Sequence, residues 1–276
     1  MGVDGTLATS DGETIAYSLD TFADPWRESP PLLMLHSLMG HSQRFNGMAG
    51  PLAQHFNVVR MDMRGHGRSS VPAPDSPLSL ERMTQDVVEL LDHLGLERIH
   101  VVGNSAGGYL SQHLAITAPE RVISLSLFGS TPGLARSGAA KWIPLIGEKG
   151  LRTFLAETIS DRFQADREPP EKIEWFLDEC AKNDTAFIVR CLQLFTSLDW
   201  SDELSRIAAP TLIVAAGGET VGAASHYTEM RDRIPGARLI YYQGLPHNIC
   251  DIVPERCAAD VKTFLRWHFP ALDHLV

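Results

Sequence analysis

The sequence of 276 residues lacks long apolar runs and paired cysteine motifs. No stretch of about 18 apolar residues occurs, so no transmembrane helix is expected. The opening residues MGVDGTLATS contain no apolar signal core. The four cysteines follow neither a C-x-x-C nor a zinc-ligand spacing. We therefore expect reduced thiols in a cytoplasmic protein that binds no metal.

Basic residues are also scarce, with 24 Lys and Arg against 34 Asp and Glu, which gives a formal net charge of −10. An acidic chain repels the phosphate backbone and anionic lipid surfaces. Nucleic acid and membranes are therefore not expected as partners, whereas a small molecule is. The length suffices for one large domain with an inserted subdomain. No pattern indicates an oligomeric state.

Short apolar runs alternate with helical patterns along most of the chain. A continuous apolar run is typical of a strand that is covered on both faces. Alternating strand and helix units predict an α/β fold with a mostly parallel central sheet and helices on both faces. The predicted strands lie at residues 14–18, 32–36, 57–61, 99–102, 122–128, 210–215 and 238–242.

The alternation stops between residues 131 and 207, where the pattern is helical and irregular. This interruption predicts a helical cap at 131–207, inserted into a core that is formed by 1–130 and 208–276. Ligands are then expected at the carboxyl ends of the strands, under the cap.

Residues 103–107 (GNSAG) match G-x-S-x-G between a predicted strand and a predicted helix. A serine on such a sharp turn points into the site at the positive end of the following helix. Ser105 is therefore the candidate nucleophile, and the backbone N–H of Ala106 can face a developing oxyanion. The alternative is a glycine-rich turn that only ends a strand.

A serine nucleophile needs a base, and the sequence has 11 histidines. The candidate base has to be selected by its position relative to the predicted strands. His247 follows the last predicted strand, in a loop that opens at the same edge of the sheet as Ser105. It is the candidate base, and a surface histidine is the alternative reading. His66 lies between two glycines, which indicates a residue that shapes a loop.

The acid should follow the strand at 210–215, because the chain order in such sites is serine, acid, histidine. Glu219 is the carboxylate found there before the next helix. It could accept the second N–H of His247 and fix its tautomer. An exposed loop glutamate is the alternative reading for this position, and Asp251 is the alternative acid.

Four segments resemble landmarks of the α/β-hydrolase superfamily in order and spacing. They are LHSL at 35–38, DMRGHGRS at 62–69, GNSAGG at 103–108 and PH at 246–247. The resemblance covers essentially the whole chain and is nearest to the 3-oxoadipate enol-lactonase-like esterases and lactonases. It implies the α/β-hydrolase fold and a serine hydrolase with a triad of Ser105, His247 and Glu219. It also implies an oxyanion hole that is formed by the backbone N–H groups of Leu38 and Ala106. No cofactor is expected, because the sequence contains no nucleotide-binding loop, metal cluster or flavin motif.

Two positions depart from the pattern of the family. Most relatives have His-Gly at the oxyanion turn, where this chain has His36 and Ser37. The acid is usually aspartate, and Glu219 adds one methylene that Gly217 and Gly218 can accommodate.

The predicted cap should line the substrate pocket with aromatic and aliphatic side chains. The candidates are Trp142, Ile143, Phe154, Trp175 and Phe176. Cationic cap residues could bind a carboxylate, but we expect them to be solvated: Arg136, Lys141, Lys149 and Arg152. An apolar cap favours a neutral ester or lactone, including an N-acyl-homoserine lactone or an enol-lactone.

Two further functions fit the same residues. A carbon–carbon bond hydrolase that acts on products of aromatic ring cleavage would use the same triad. A non-catalytic receptor could retain the fold and the triad and bind a small ligand.

Overall fold

The computed structural model describes residues 2–24, 26 and 28–272, and within them eight strands form one sheet in the order β1-β2-β4-β3-β5-β6-β7-β8. The strands are β1 (Val3–Ala8), β2 (Thr14–Asp20), β3 (Pro31–Leu35), β4 (Asn57–Met61), β5 (Ile99–Asn104), β6 (Val122–Phe128), β7 (Thr211–Ala216) and β8 (Arg238–Tyr242). Only β1 and β2 run antiparallel to their neighbours, and the other pairs are parallel. The predicted mostly parallel sheet is confirmed.

Helices cover both faces of this sheet. They are α1 (Asn46–Ala53), α2 (Leu80–His93), α3 (Ala106–Thr117), α4 (Trp142–Glu157), α5 (Pro170–Ala181), α6 (Thr185–Thr196), α7 (Ser225–Arg233), α8 (Ile249–Ile252) and α9 (Pro254–His268). Within the described ranges, no helix has both the length and the apolar character that spanning a membrane requires.

Strand β3 shows how the sequence divides the core into two layers. Its side chains alternate between faces, as the two-residue repeat of a strand demands. Leu33 and Leu35 pack with helices α2, α3 and α7, whereas Leu32 and Met34 pack with α1 and α9. Because both faces are covered, the strand is a continuous apolar run in the sequence.

The start of α2 illustrates how local signals set an element. The side chain of Ser79 caps the helix by accepting a hydrogen bond from the backbone N–H of Arg82, at 3.1 Å. Glu81 lies in the first turn, where its negative charge interacts favourably with the positive end of the helix dipole. The chain leaves the helix at Gly95, whose φ of 68° lies in the left-handed region.

Strand β1 is absent from the sequence prediction, which begins the sheet at residue 14. It pairs antiparallel with β2, from Val3 opposite Leu19 to Ala8 opposite Thr14. Its side chains are mostly exposed, because it lies at the edge of the sheet. An exposed edge strand has little apolar periodicity, so the sequence contains no signal for it.

Between β6 and β7 the chain forms α4, α5 and α6, which lie inside the predicted cap segment 131–207. These helices pack around an apolar cluster of their own, which includes Phe163, Phe176 and Ile188. The predicted division of the chain at residues 130 and 208 stays a prediction.

Candidate active site

Ser105 lies on a strained turn between β5 and α3. Its φ of 50° and ψ of −114° are rare for a residue with a side chain. The turn is also tight, since a Cβ atom on Gly107 would lie 2.0 Å from the carbonyl oxygen of Leu35. Glycine at this position therefore lets α3 begin directly against the end of β3.

His247 brings an imidazole nitrogen to this serine. Its Nε2 lies 3.1 Å from Ser105 Oγ, and both side chains are buried. The loop after β8 is held in place by its backbone, because the N–H of His247 donates to the carbonyl oxygen of Asp161 at 3.1 Å. This bond ties the histidine loop to the turn that follows α4.

Glu219 accepts from the other nitrogen of the same ring. His247 Nδ1 lies 2.9 Å from Oε2 and 3.0 Å from Oε1. The carboxylate also accepts from the hydroxyl of Tyr227 at 2.6 Å and from the backbone N–H groups of Val221 at 2.8 Å and Gly222 at 3.0 Å. With four donors around it, this carboxylate is held in one orientation.

The same contacts keep Glu219 ionised. Burial raises the pKa of Glu219, but the charge of His247 and the hydrogen bonds from His247 and Tyr227 outweigh burial and lower the pKa to about 2. An ionised carboxylate accepts but cannot donate, so His247 must carry its proton on Nδ1. The lone pair on Nε2 then faces the hydroxyl of Ser105.

The alternative residues have other partners. Asp251 forms a buried ion pair with Arg44. His66 lies beside His36, at 5.3 Å between ring centroids, and its Nδ1 donates to the carbonyl oxygen of Arg64 at 3.0 Å. Neither Asp251 nor His66 forms a hydrogen bond with the Ser105 and His247 pair.

Two backbone N–H groups lie at the mouth of this constellation. Leu38 and Ala106 line the same cavity as Ser105 and His247. Their backbone N–H groups have no hydrogen-bond acceptor among the residues that the structure describes. The turn that carries Leu38 is held by Ser37, whose Oγ accepts from Arg44 at 2.7 Å and whose carbonyl oxygen accepts from His36 Nδ1 at 2.8 Å.

Comparison with known proteins now connects this geometry to a family. The sequence profile described as alpha/beta hydrolase fold matches residues 30–166. A hydrolase from Pseudomonas aeruginosa has a solved structure that superposes with a TM-score of 0.85 at 33% identity, covering 95% of this chain and 98% of that one. The chain belongs to the α/β-hydrolase family.

Two of the curated relatives of this α/β hydrolase are an esterase and a lactonase. The pimeloyl-[acyl-carrier protein] methyl ester esterase of Nitrosomonas europaea is 27% identical, over 79% of this chain and 88% of the relative. The 3-oxoadipate enol-lactonase 2 of Acinetobacter baylyi is 28% identical, over 77% of this chain and 79% of the relative. The resemblance to this family that the sequence predicts is confirmed.

The cavity of the hydrolase lies between the sheet edge and helices α4 to α6. The space between its walls that is free of protein atoms, counted together with its opening to solvent, is about 540 Å³. Its apolar lining comes largely from the predicted cap, through Trp142, Leu155, Phe176, Leu192 and Phe195.

The cap residues predicted to line the substrate cavity need correction at three positions. Trp142 and Phe176 line the cavity, but Ile143, Phe154 and Trp175 do not. Phe154 is buried in the cap cluster against the ring of Trp142, at 6.0 Å between centroids. Trp175 is 40% exposed. Successive residues of a helix point about 100° apart, so Leu155 and Phe176 take the inward positions that their neighbours cannot.

The predicted cationic residues also lie away from the cavity. Arg136, Lys149 and Arg152 form ion pairs with carboxylates, and Lys141 is exposed. Three polar residues that the sequence prediction missed line the cavity instead: Arg44, Arg162 and Asn248. No local pattern distinguishes these positions, because it is the packing of the cap on the core that brings them together.

No cluster of three or more histidine, cysteine or acidic side chains able to hold a metal occurs in the described ranges. The four cysteines are free and buried.

Proposed function

We propose that this protein is a serine hydrolase that cleaves carboxylic esters or lactones through an acyl-enzyme on Ser105. The observation that carries the proposal is the continuous chain of hydrogen bonds from Glu219 through His247 to Ser105, at 2.9 and 3.1 Å. The ionised glutamate leaves the basic nitrogen of His247 facing the hydroxyl. A non-catalytic pocket has no need for a serine on a strained turn in this arrangement.

In the proposed reaction, His247 takes the proton of Ser105 as the serine oxygen attacks the carbonyl carbon of the substrate. The carbonyl oxygen becomes negatively charged, and the free N–H groups of Leu38 and Ala106 stabilise it. When the tetrahedral intermediate collapses, His247 Nε2 returns the proton to the leaving alkoxide. Water then attacks the acyl-enzyme by the same route in reverse, and the acid is released.

The relatives support ester or lactone chemistry, since one curated relative is an esterase and another is an enol-lactonase. The apolar lining from Trp142 to Phe195 would hold a hydrocarbon part of a small-molecule substrate. The proposal includes two cyclic substrates, an N-acyl-homoserine lactone and an enol-lactone. A cytoplasmic location belongs to this proposal and agrees with the four buried free thiols.

Covalent labelling tests the nucleophile directly. The protein is treated with a fluorophosphonate, and the labelled residue is mapped by mass spectrometry. We expect one label, at Ser105, together with loss of p-nitrophenyl ester hydrolysis; Ser105→Ala should take no label and lose turnover by about 10⁴-fold or more. A panel of esters, acyl-homoserine lactones and a ring-fission product then defines the substrate class. Absence of both label and turnover would favour a ligand-binding protein instead.

A further inference from the structure

Arg162 is bonded through its backbone to the loop that carries His247. It ends the short turn Ile159–Asp161 that follows α4. Its carbonyl oxygen accepts from the backbone N–H of Asn248 at 3.2 Å, next to the bond between His247 and Asp161. Two consecutive backbone bonds therefore fix Arg162 relative to the catalytic histidine, and its side chain lines the same cavity as Ser105.

The guanidinium of Arg162 is buried without a counter-ion. The residue is 7% exposed, yet no carboxylate in the described part of the chain lies within ion-pair distance of it. Its Nη1 donates to the carbonyl oxygen and the hydroxyl of Thr158, at 3.1 and 2.9 Å. Its Nε and Nη2 have no acceptor among the described residues, and the residue lines the cavity.

Other buried arginines of this protein are paired. Arg44 forms its ion pair with Asp251, and Arg64 lies 2.6 Å from Asp86. Removing the partner of a buried charge is strongly destabilising, so an unpaired guanidinium is an exception that needs an explanation. Burial lowers the pKa of Arg162 to about 10, although the charges of Asp161 and Glu219 oppose this shift, so the group still carries its charge at neutral pH.

Aromatic rings offset only part of the cost of burying the unpaired charge of Arg162. The guanidinium lies 5.6 Å from the ring centroids of both Trp142 and Phe154. Such contacts stabilise a cation but leave its N–H donors unsatisfied. A second donor is close by, since Asn248 lines the cavity and its Nδ2 has no partner in the described structure. The cavity thus combines an apolar wall with a cationic end, where Nε and Nη2 of Arg162 have no acceptor among the described residues.

We propose that Arg162 binds a carboxylate of the substrate, so that the hydrolase acts on esters or lactones that carry a free acid group. This inference rests on the proposed function and narrows its substrate class. A carboxylate accepts two parallel bonds from the planar fork of an arginine, which an ammonium group cannot supply. The acid would lie at the cap end of the cavity while the ester carbonyl lies at Ser105.

Matched ester pairs test this assignment. Mono-p-nitrophenyl adipate and p-nitrophenyl hexanoate differ by a carboxylate on the acyl chain. The 4-carboxyphenyl and 4-(methoxycarbonyl)phenyl esters of hexanoic acid differ by a carboxylate on the leaving group. In the pair whose carboxylate reaches Arg162, we expect Arg162→Met to lower the ratio of kcat/KM for the acid to kcat/KM for the neutral ester by about 10- to 100-fold. Arg162→Lys should restore part of that ratio.

Arg152→Gln is the matched control, because Arg152 is an exposed cap arginine that pairs with Glu174 and Asp178. It should leave the ratio unchanged. A purely structural Arg162 would lower both members of each pair alike, and that result overturns the assignment. So does a wild-type enzyme whose kcat/KM for the acid is no higher than for the neutral ester in both pairs, which decides the question if Arg162→Met does not fold.

Failure of the proposed function gives a different result. The wild-type protein would then turn over no ester in a manner that depends on Ser105. Calorimetric titration with adipate still tests the subsite in that case. Binding by the wild type that Arg162→Met weakens supports the carboxylate site, and equal or absent binding in both overturns it.

Discussion

Glu219 shows how a longer acid can occupy a position where aspartate is usual. It reaches His247 from the loop after β7, and three groups other than His247 hold its carboxylate. These bonds satisfy every direction of the carboxylate and restrict its rotation. At the scale of one residue, the function therefore depends on a fixed orientation as much as on the charge.

Replacing Glu219 by glutamine removes the negative charge beside His247 while keeping a side chain of the same length. Glu219→Gln can donate to His247 Nδ1 and so favours the tautomer with its proton on Nε2, which cannot accept from Ser105. We expect kcat/KM to fall by about 10³- to 10⁴-fold. Ester hydrolysis measured from pH 5 to 9 checks this. Glu219→Asp keeps the charge and should lose less, and a glutamine variant within tenfold of the wild type would contradict the assigned role.

The turn between β5 and α3 is the element that presents the nucleophile. A Cβ atom at Gly107 would meet the carbonyl oxygens of Leu35 and His36 at 2.0 and 2.7 Å. These are backbone atoms of the neighbouring strand end, so they cannot move aside cheaply. The position of Ser105 thus depends on the close contact between α3 and β3.

Gly107→Ala should therefore destabilise the fold and misplace the serine. We expect a loss of about 1–3 kcal/mol in the free energy of unfolding, as for overpacking, and a fall in kcat/KM of about 100-fold. Gly147→Ala is the control, because a Cβ atom at this position of α4 meets nothing within 4 Å. It should stabilise by about 0.5–1 kcal/mol. Urea unfolding and ester hydrolysis measure both effects, and equal stability of the two variants would contradict this account.

At the scale of the whole molecule, neutral histidines lie between the sheet and the cap. His36 Nε2 accepts from the backbone N–H of Met63 at 3.0 Å, which requires the neutral ring. Burial lowers the pKa of His36, and the neighbouring His66 lowers it further, although Asp62 opposes both. Burial likewise lowers the pKa of His66, to about 4.

These histidines should make the fold sensitive to acid. In the unfolded chain they titrate near 6.5, above their pKa values in the folded protein. The unfolded state then binds protons first, so the stability is complete above pH 6.5 and falls as the pH decreases towards 4. Each histidine contributes a slope of about 1.4 kcal/mol per pH unit. Urea midpoints from pH 8 to 5 measure it; His66→Gln should reduce the slope, and a flat profile would refute the prediction.

The sequence by itself determined the parallel sheet, because strands covered on both faces must be continuous apolar runs. It also predicted that Ser105, Glu219 and His247 would converge, since the carboxyl ends of parallel strands share one edge. Local patterns could not reveal the exposed edge strand β1, nor whether Phe154 or Leu155 faces the cavity. The unpaired charge of Arg162 could not be predicted either. Only tertiary packing decides which cation is left without a partner, because its possible partners are distant in sequence and meet, or fail to meet, when the cap closes on the core.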